Sequence, residues 1–341
     1  MSSNRIEYID LAKGMCILLV VVFHIFVYYH ISMPAGYFFR AFRMPLYFFL
    51  SGVFFKTYGG FGNFLKKKTN KLLIPFIFFY LTLSVFISIF LYSVFGIVIE
   101  KAVNFDILPA LTEFITRENF PNSPIWFLLS LFEVNLLFYF CNFIAGKFGK
   151  WSLWVLIALT LIIGLSGLLL SVLKVNLPMF IDSSMTALPF FMMGYVVNRH
   201  TAILKPNKWD KYWWVICIVC FVFVFVFAGH HVSYKMNSFS RIGYITLYPC
   251  GLLGTLGIMY CAKHLNKLPL VSYWGRYSIM ILVTHRIVYQ AVSPLAISIT
   301  GGVNYGTVFV NLTITMLLYL LLIPVMKKYL PHVTAQKDIF R

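Results

Sequence analysis

The sequence predicts an all-α polytopic membrane protein of about ten transmembrane helices, with both termini in the cytoplasm. Three observations predict it. Hydrophobic residues fill 60% of the 341 positions and charged ones only 11%, with mean hydropathy +0.84, a balance outside that of soluble domains. Apolar runs of spanning length recur along the whole chain. Lysine and arginine collect in alternate connections between those runs, as the positive-inside rule requires.

The runs fall near 11–30, 38–55, 72–99, 124–145, 152–173, 184–198, 212–229, 241–262, 271–298 and 303–326. The first is followed by Tyr28, Tyr29 and His30 and not by a small-residue cleavage site, so it is expected to stay as a span. The third and ninth are long, which predicts tilt or a break. The sixth is the shortest. Residues 100–123 form the longest polar connection, and 1–341 is taken as a single transmembrane domain without internal repeats. One set of connections holds nineteen basic residues, among them Arg5, Lys13, Lys66, Lys67, Lys68, Lys71, Lys327 and Lys328. The alternate set holds seven: Arg40, Arg43, Lys101, Arg117, Lys174, Lys235 and Arg241. That asymmetry puts both termini inside and favours an even number of spans. The net charge of +18 therefore reports basic cytoplasmic loops facing membrane lipids, not a nucleic-acid partner. The six cysteines lie in or beside apolar runs with no disulfide or metal spacing, and no metal is expected.

Ionisable side chains inside spans are costly and face a cavity or one another. Here they are His24, Glu133, Arg276, His285 and Arg286. Lys13 precedes His24 by eleven residues and Arg276 precedes His285 by nine, offsets of ~16 Å and ~13 Å at 1.5 Å per residue. Spans one and nine would each put a cation near the inner face and an imidazole near mid-membrane. Side by side they would line a passage with a basic mouth suited to a polyanionic ligand. A neutral imidazole there is a competent general base toward a hydroxyl; the plainer reading is a histidine hydrogen-bonded across helices. Glu133 lies two helical turns beyond Trp126 and is either a structural partner for an arginine or a proton-handling group. Arg286 points to a different face from His285, toward Glu133 or a polar ligand. Lys68 and Lys71, one turn apart, share a face and form either an anchor on the cytoplasmic side or a phosphate clamp.

Several of these pieces together resemble the acyltransferase-three family, integral-membrane proteins that transfer acyl groups, usually acetyl, onto sugars of surface glycans. Lys13 and His24, preceded by "YIDLAKG", match its basic residue, ten residues, histidine signature. "FRMPLYFFLSGVFF" (42–55), "FLKKKTNKLLIPF" (64–76), "PIWFLLSLFEV" (124–134), "LPFFMMGYVV" (188–197) and "YWGRYSIMILVTH" (273–285) follow in the family's order. The likeness covers nearly the whole chain and is closest to the compact branch, the fucose and polysaccharide O-acetylases without an appended esterase domain. Lysines stand at 13, 68 and 71 where the family often has arginine, replacing a bidentate grip on phosphate by a point charge.

The resemblance implies a multi-pass protein of the plasma (inner) membrane that moves an acetyl group from cytoplasmic acetyl-CoA to a hydroxyl of a glycan or lipid-linked sugar. It implies that His24 is the catalytic base, with Lys13 its companion at the inner mouth. Glu133 and His285 are further catalytic candidates. Lys13, Lys68, Lys71 and Arg276 would hold the CoA phosphates, and Arg43, Trp126, Arg286 and Tyr289 would meet the acceptor, with His285 or Tyr289 orienting the sugar. Transfer is either direct or through an acyl-histidine. The rival readings are a flippase for a lipid-linked sugar, which would use the same polar path without acyl transfer, and a glycan polymerase or ligase. The short outer loops argue against the latter, and the lack of internal repeats against the former.

Overall fold

A computed structural model describes residues 7–82 and 122–340 of the chain. It is helical almost throughout. The first span is α1 (Glu7–Tyr28), and α2 (Gly36–Val53) returns across the layer. A short α3 (Phe61–Lys68) runs through a π-turn, Thr69–Leu73, into α4 (Ile74–Phe79). The predicted span 72–99 lies outside the described residues beyond position 82. Next come α5 (Trp126–Ala145), α6 (Ser152–Val172), α7 (Ile181–His200) and α8 (Trp213–Phe227). The last are α9 (Arg241–Leu265), α10 (Pro269–Arg276), α11 (Ser278–Thr300) and α12 (Tyr305–Tyr329).

Among the described residues, seven helical stretches are long and apolar enough to cross a membrane, against about ten expected. Two differences have plain causes. Ser123–Val172 counts as one stretch but turns at Gly149 (φ 52°, ψ −120°), so it holds two of the predicted spans. α2 is excluded because Arg40 and Arg43 lower its hydropathy. The sixth predicted span, the shortest in sequence, proves to be a helix of 20 residues. The break expected in the ninth run falls at Tyr277, so Arg276 ends α10 while His285 and Arg286 belong to α11.

Two close helix contacts set the frame. A Cβ on Gly14 of α1 would overlap the Val271 carbonyl of α10, and one on Gly275 of α10 would overlap the Asp10 carbonyl of α1. Gly52 of α2 and Gly194 of α7 meet the Phe191 and Phe49 carbonyls in the same reciprocal way. Inside lipid the hydrophobic effect does not separate a helix pair from solvent. Small residues that let backbones touch, and buried hydrogen bonds, do the holding. Asn311 of α12 supplies such a bond. It is fully buried and donates to the Tyr29 hydroxyl (2.7 Å) just beyond α1 and to the Tyr289 carbonyl (3.0 Å) of α11, while Thr315 donates to its oxygen (3.0 Å).

The sequence reading contained no strand. The structure has one small hairpin, with Val232–Ser233 (β1) antiparallel to Ser238–Phe239 (β2). Asn237, at φ 45°, closes its turn. Its side chain donates to the Gly167 carbonyl (2.8 Å) and accepts from Thr186 (2.9 Å), and its own carbonyl accepts from Ser171. The hairpin is thereby stitched to α6 and α7.

The chain's tail folds back over α3 and the π-turn. Asn70, 1% exposed, donates to the Phe340 carbonyl (2.7 Å) and accepts from the amides of Ile339 (2.8 Å) and Phe340 (3.0 Å). Lys67 pairs with Asp338 at 2.6 Å, and Lys71 pairs with it at 3.2 Å while donating to the Ala335 carbonyl (2.6 Å). The hydrogen bond from Lys67 holds the Asp338 carboxyl below its ordinary value; burial opposes this and Lys71 adds to it. A carboxyl so depressed contributes stability above its unfolded value and loses it as pH falls through its folded value. The tail is therefore expected to resist carboxypeptidase at neutral pH and to yield to acid-active proteases below the usual aspartate range. Asn70→Ala, which removes three buried hydrogen bonds, is expected to release the tail at neutral pH at a local cost of about 1–3 kcal/mol. A tail equally protected in that variant would rule out the clasp.

Candidate functional site

The site forms where α1, the start of α2, the start of α5 and the hairpin enclose a cavity of about 270 Å³. His24 of α1 lines it, together with Val20 and Phe23 on the same helix. α2 contributes Arg40, Arg43 and Met44. The chain entering α5 contributes Ser123, Pro124 and Trp126, and the hairpin region contributes His231 to Lys235. Trp126 is 7% exposed and packs on Phe180, with ring centroids 5.5 Å apart. Arg40, Arg43 and Lys235 belong to the connections that the charge asymmetry assigns to the outside.

Behind His24 stands His285 of α11, fully buried, with ring centroids 5.3 Å apart. Its Nδ1 lies 2.9 Å from the Ile281 carbonyl and 3.0 Å from the Leu282 carbonyl. Carbonyls only accept, so Nδ1 must carry the hydrogen, which leaves the Nε2 lone pair free to accept. That Nε2 is buried without a hydrogen-bond partner among the described residues. The backbone of α11 thus fixes both the ring's orientation and its tautomer, and the open acceptor belongs to the ring beside His24. Asn122, whose side chain donates to the Val283 carbonyl (3.0 Å), ties the approach to α5 onto the same helix.

The arginines of α2 gather on one ring. The Arg43 guanidinium lies 3.7 Å from the centroid of Phe23 and that of Arg40 lies 5.5 Å from it, and Phe23 meets His24 edge-on at 5.3 Å. Stacking on an aromatic face holds a guanidinium while leaving its donors in its own plane available. Lys235 reaches Ser123 (3.2 Å), and its carbonyl accepts from Ser183 (3.2 Å).

The remaining predicted site residues are spread through the fold. Lys13 sits one helical stretch below His24, its ammonium 5.0 Å from the Phe54 ring and its carbonyl accepting from Tyr47 (3.3 Å). Arg276 lies 3.7 Å from Asp10, so Lys13 and Arg276 flank the same glycine contact between α1 and α10. Lys68 lies over Phe64 at 5.7 Å, and Lys71 is engaged by the tail. Glu133 does not line the cavity. Ser184 of α7 donates to it (2.7 Å) and lies 2.7 Å from the Ser130 hydroxyl, so the protons run from Ser130 to Ser184 to Glu133. Tyr289 is buried with its ring 6.1 Å from His285. Neither Tyr289 nor Arg286 is among the cavity's lining residues. Sequence reasoning passed over Arg40, Lys235 and the hairpin. The signal for Arg40 was its position three residues before Arg43, one turn away on the same face.

The family model described as an acyltransferase domain (Acyl_transf_3) matches residues 6–326. The chain belongs to the acyltransferase-three family. It is a multi-pass membrane acyltransferase, and His24, the cavity and the α10–α11 break all fall within the matched region. No curated protein and no solved structure matches it.

The cavity is expected to open outward. Ser233→Cys, on its rim, should react with a membrane-impermeant maleimide added to intact cells, whereas Lys66→Cys on α3 should react only after permeabilisation. Labelling in the opposite order would invert the topology.

Proposed function

We propose that this acyltransferase is an O-acetyltransferase of the plasma (inner) membrane. It carries an acetyl group from cytoplasmic acetyl-CoA to a hydroxyl of a cell-surface or lipid-linked glycan, with His24 as general base. The observation that carries the reading is the pair of imidazoles: His24 faces the cavity, and His285, pinned by two carbonyls, stands directly behind it.

The chemistry follows from that pair. The acceptor hydroxyl gives its proton to a ring nitrogen of His24 as its oxygen attacks the thioester carbonyl. The C–S bond then breaks, and the proton passes to the departing thiolate. The open lone pair on the His285 ring, whose centroid lies 5.3 Å from that of His24, favours the positive charge that the His24 ring acquires. His285 is a positioning residue in this scheme. The donor arrives from the opposite side of His24, where Lys13 and Arg276 flank the α1–α10 contact, and Lys68 is the further cation for its phosphates. Lys71 belongs to the same basic group, but the tail holds it. Trp126 supplies an apolar wall for a sugar ring. Glu133, with its serine relay, lies away from this step.

Membranes containing the protein, supplied with radiolabelled acetyl-CoA and a host glycan extract, should incorporate base-labile label into glycan. His24→Ala should lower incorporation about 10²–10⁴-fold, the usual contribution of a general base. Equal incorporation by the variant would remove His24 from the chemistry. Movement of a lipid-linked sugar without acyl transfer would favour a flippase. His285→Ala is expected to lower kcat and shift the acid limb of the pH profile, with the KM for acetyl-CoA little changed. A purely structural role would lower the amount of folded protein and leave that limb in place.

A further inference from the structure

The cavity beside His24 is lined by cations on its described side. Its lining includes Arg40, Arg43 and Lys235, and no aspartate or glutamate among the described residues. Neither arginine forms an ion pair with a described carboxylate. Arg43 also keeps a buried guanidinium nitrogen, Nη1, without a hydrogen-bond partner. Cations held at membrane depth are costly unless something compensates them. Such groups mark substrate pathways or pair with one another or with backbone carbonyls, and here Arg40 Nε donates to the Gly36 carbonyl (3.3 Å) while its companion Arg43 keeps an open donor.

The geometry says which part of a ligand that is. Both guanidiniums stack around Phe23, the residue before His24. A group gripped by them therefore lies within a side chain's reach of the base. Guanidinium forks match the paired oxygens of carboxylates and phosphates, with charge-assisted hydrogen bonds. A neutral sugar would leave these donors facing hydroxyls alone and the charge uncompensated. We propose that the acceptor carries an anionic oxygen group, a carboxylate or a phosphate ester, which Arg40 and Arg43 hold while a neighbouring hydroxyl lies against His24. The inference rests on the acyltransferase reading above and adds the acceptor's chemical class to it.

The test uses the full chain in nanodiscs and three probes: a methyl glucuronide, a glucose phosphate and a methyl glucoside. Binding is measured first, then acetyl-CoA turnover with the same probes. At least one anionic probe should bind about tenfold or more tighter than the neutral one, the scale of a charge-assisted hydrogen bond. Which of the two does so identifies carboxylate or phosphate as the source. Arg40→Gln should erase most of that preference and Arg40→Lys should restore part of it. Arg40 sits on the rim, so its variants test the grip without emptying the buried layer beneath. High salt should weaken the anionic probes and not the glucoside. Equal binding of charged and neutral probes, or anion binding indifferent to Arg40→Gln, would overturn the proposal. CoA release with the glucoside as fast as with the anions would overturn it while leaving the acyltransferase reading intact. Arg40-dependent anion binding without any CoA release would overturn the acceptor role and leave an anion site.

Discussion

The structure depends on the close approach of α1 to the α10–α11 pair. At one end Gly14 and Gly275 let the two backbones touch. At the other, Asn311 joins Tyr29 to the Tyr289 carbonyl and so ties the end of α1 to α11 through α12. Between these two fixings lie His24 and His285. With both ends held, the backbones that carry the two imidazoles keep a fixed separation. The break at Tyr277 is part of the same arrangement. It lets α10 press against the start of α1 while α11 takes its own direction toward the cavity. A straight helix from 271 to 298 would have to satisfy both contacts along a single axis.

Charge is arranged along the same axis. Below the imidazoles are Lys13 and Arg276, the latter near Asp10. Above them are Arg40, Arg43 and Lys235 around the cavity. Of the lower cations Arg276 has Asp10 close by, and Lys67 and Lys71 share Asp338 of the tail. The upper arginines have an aromatic face instead. Phe23 supports their charge without neutralising it, and no described carboxylate lines the cavity beside them. Positive charge thus flanks the imidazoles on both sides, and on the proposed reading each side draws a different anionic partner toward one base.

Much of this was legible in the sequence, for physical reasons. Apolar runs mark spans because the hydrocarbon core admits little else, and most run boundaries lie within a few residues of the helices. The Lys13–His24 and Arg276–His285 offsets pointed to two imidazoles at similar depth, and the structure puts the rings 5.3 Å apart. What the sequence could not carry was contact between distant segments. Asn70 looks like one polar residue in a basic stretch, and only the fold brings residues 339 and 340 to it. Glu133 stood out as a carboxylate inside a span, yet the fold sets Ser184 of α7 against it, which spacing on α5 alone does not reveal. The hairpin at 232–239 is too short to show a strand pattern, and its position depends on Asn237 meeting α6 and α7. Arg43 was expected at the acceptor, but Arg40 was read only as outer-loop charge, which hid the face the two share.

The exclusion of α2 from the apolar spans is the last consequence of that shared face. A helix that packs by close glycine contact against α7 and still carries two arginines gives up hydropathy for charge at a fixed place. If the arginines only oriented the protein, they would belong in the connection before α2, where water and headgroups solvate them at little cost. Instead they stand on the first turns of the helix, stacked on a ring of α1, with one guanidinium nitrogen buried. That placement has a desolvation cost which orientation does not require. A function at the cavity accounts for it, because the same cost makes an anion beside His24 bind more strongly than it would in water.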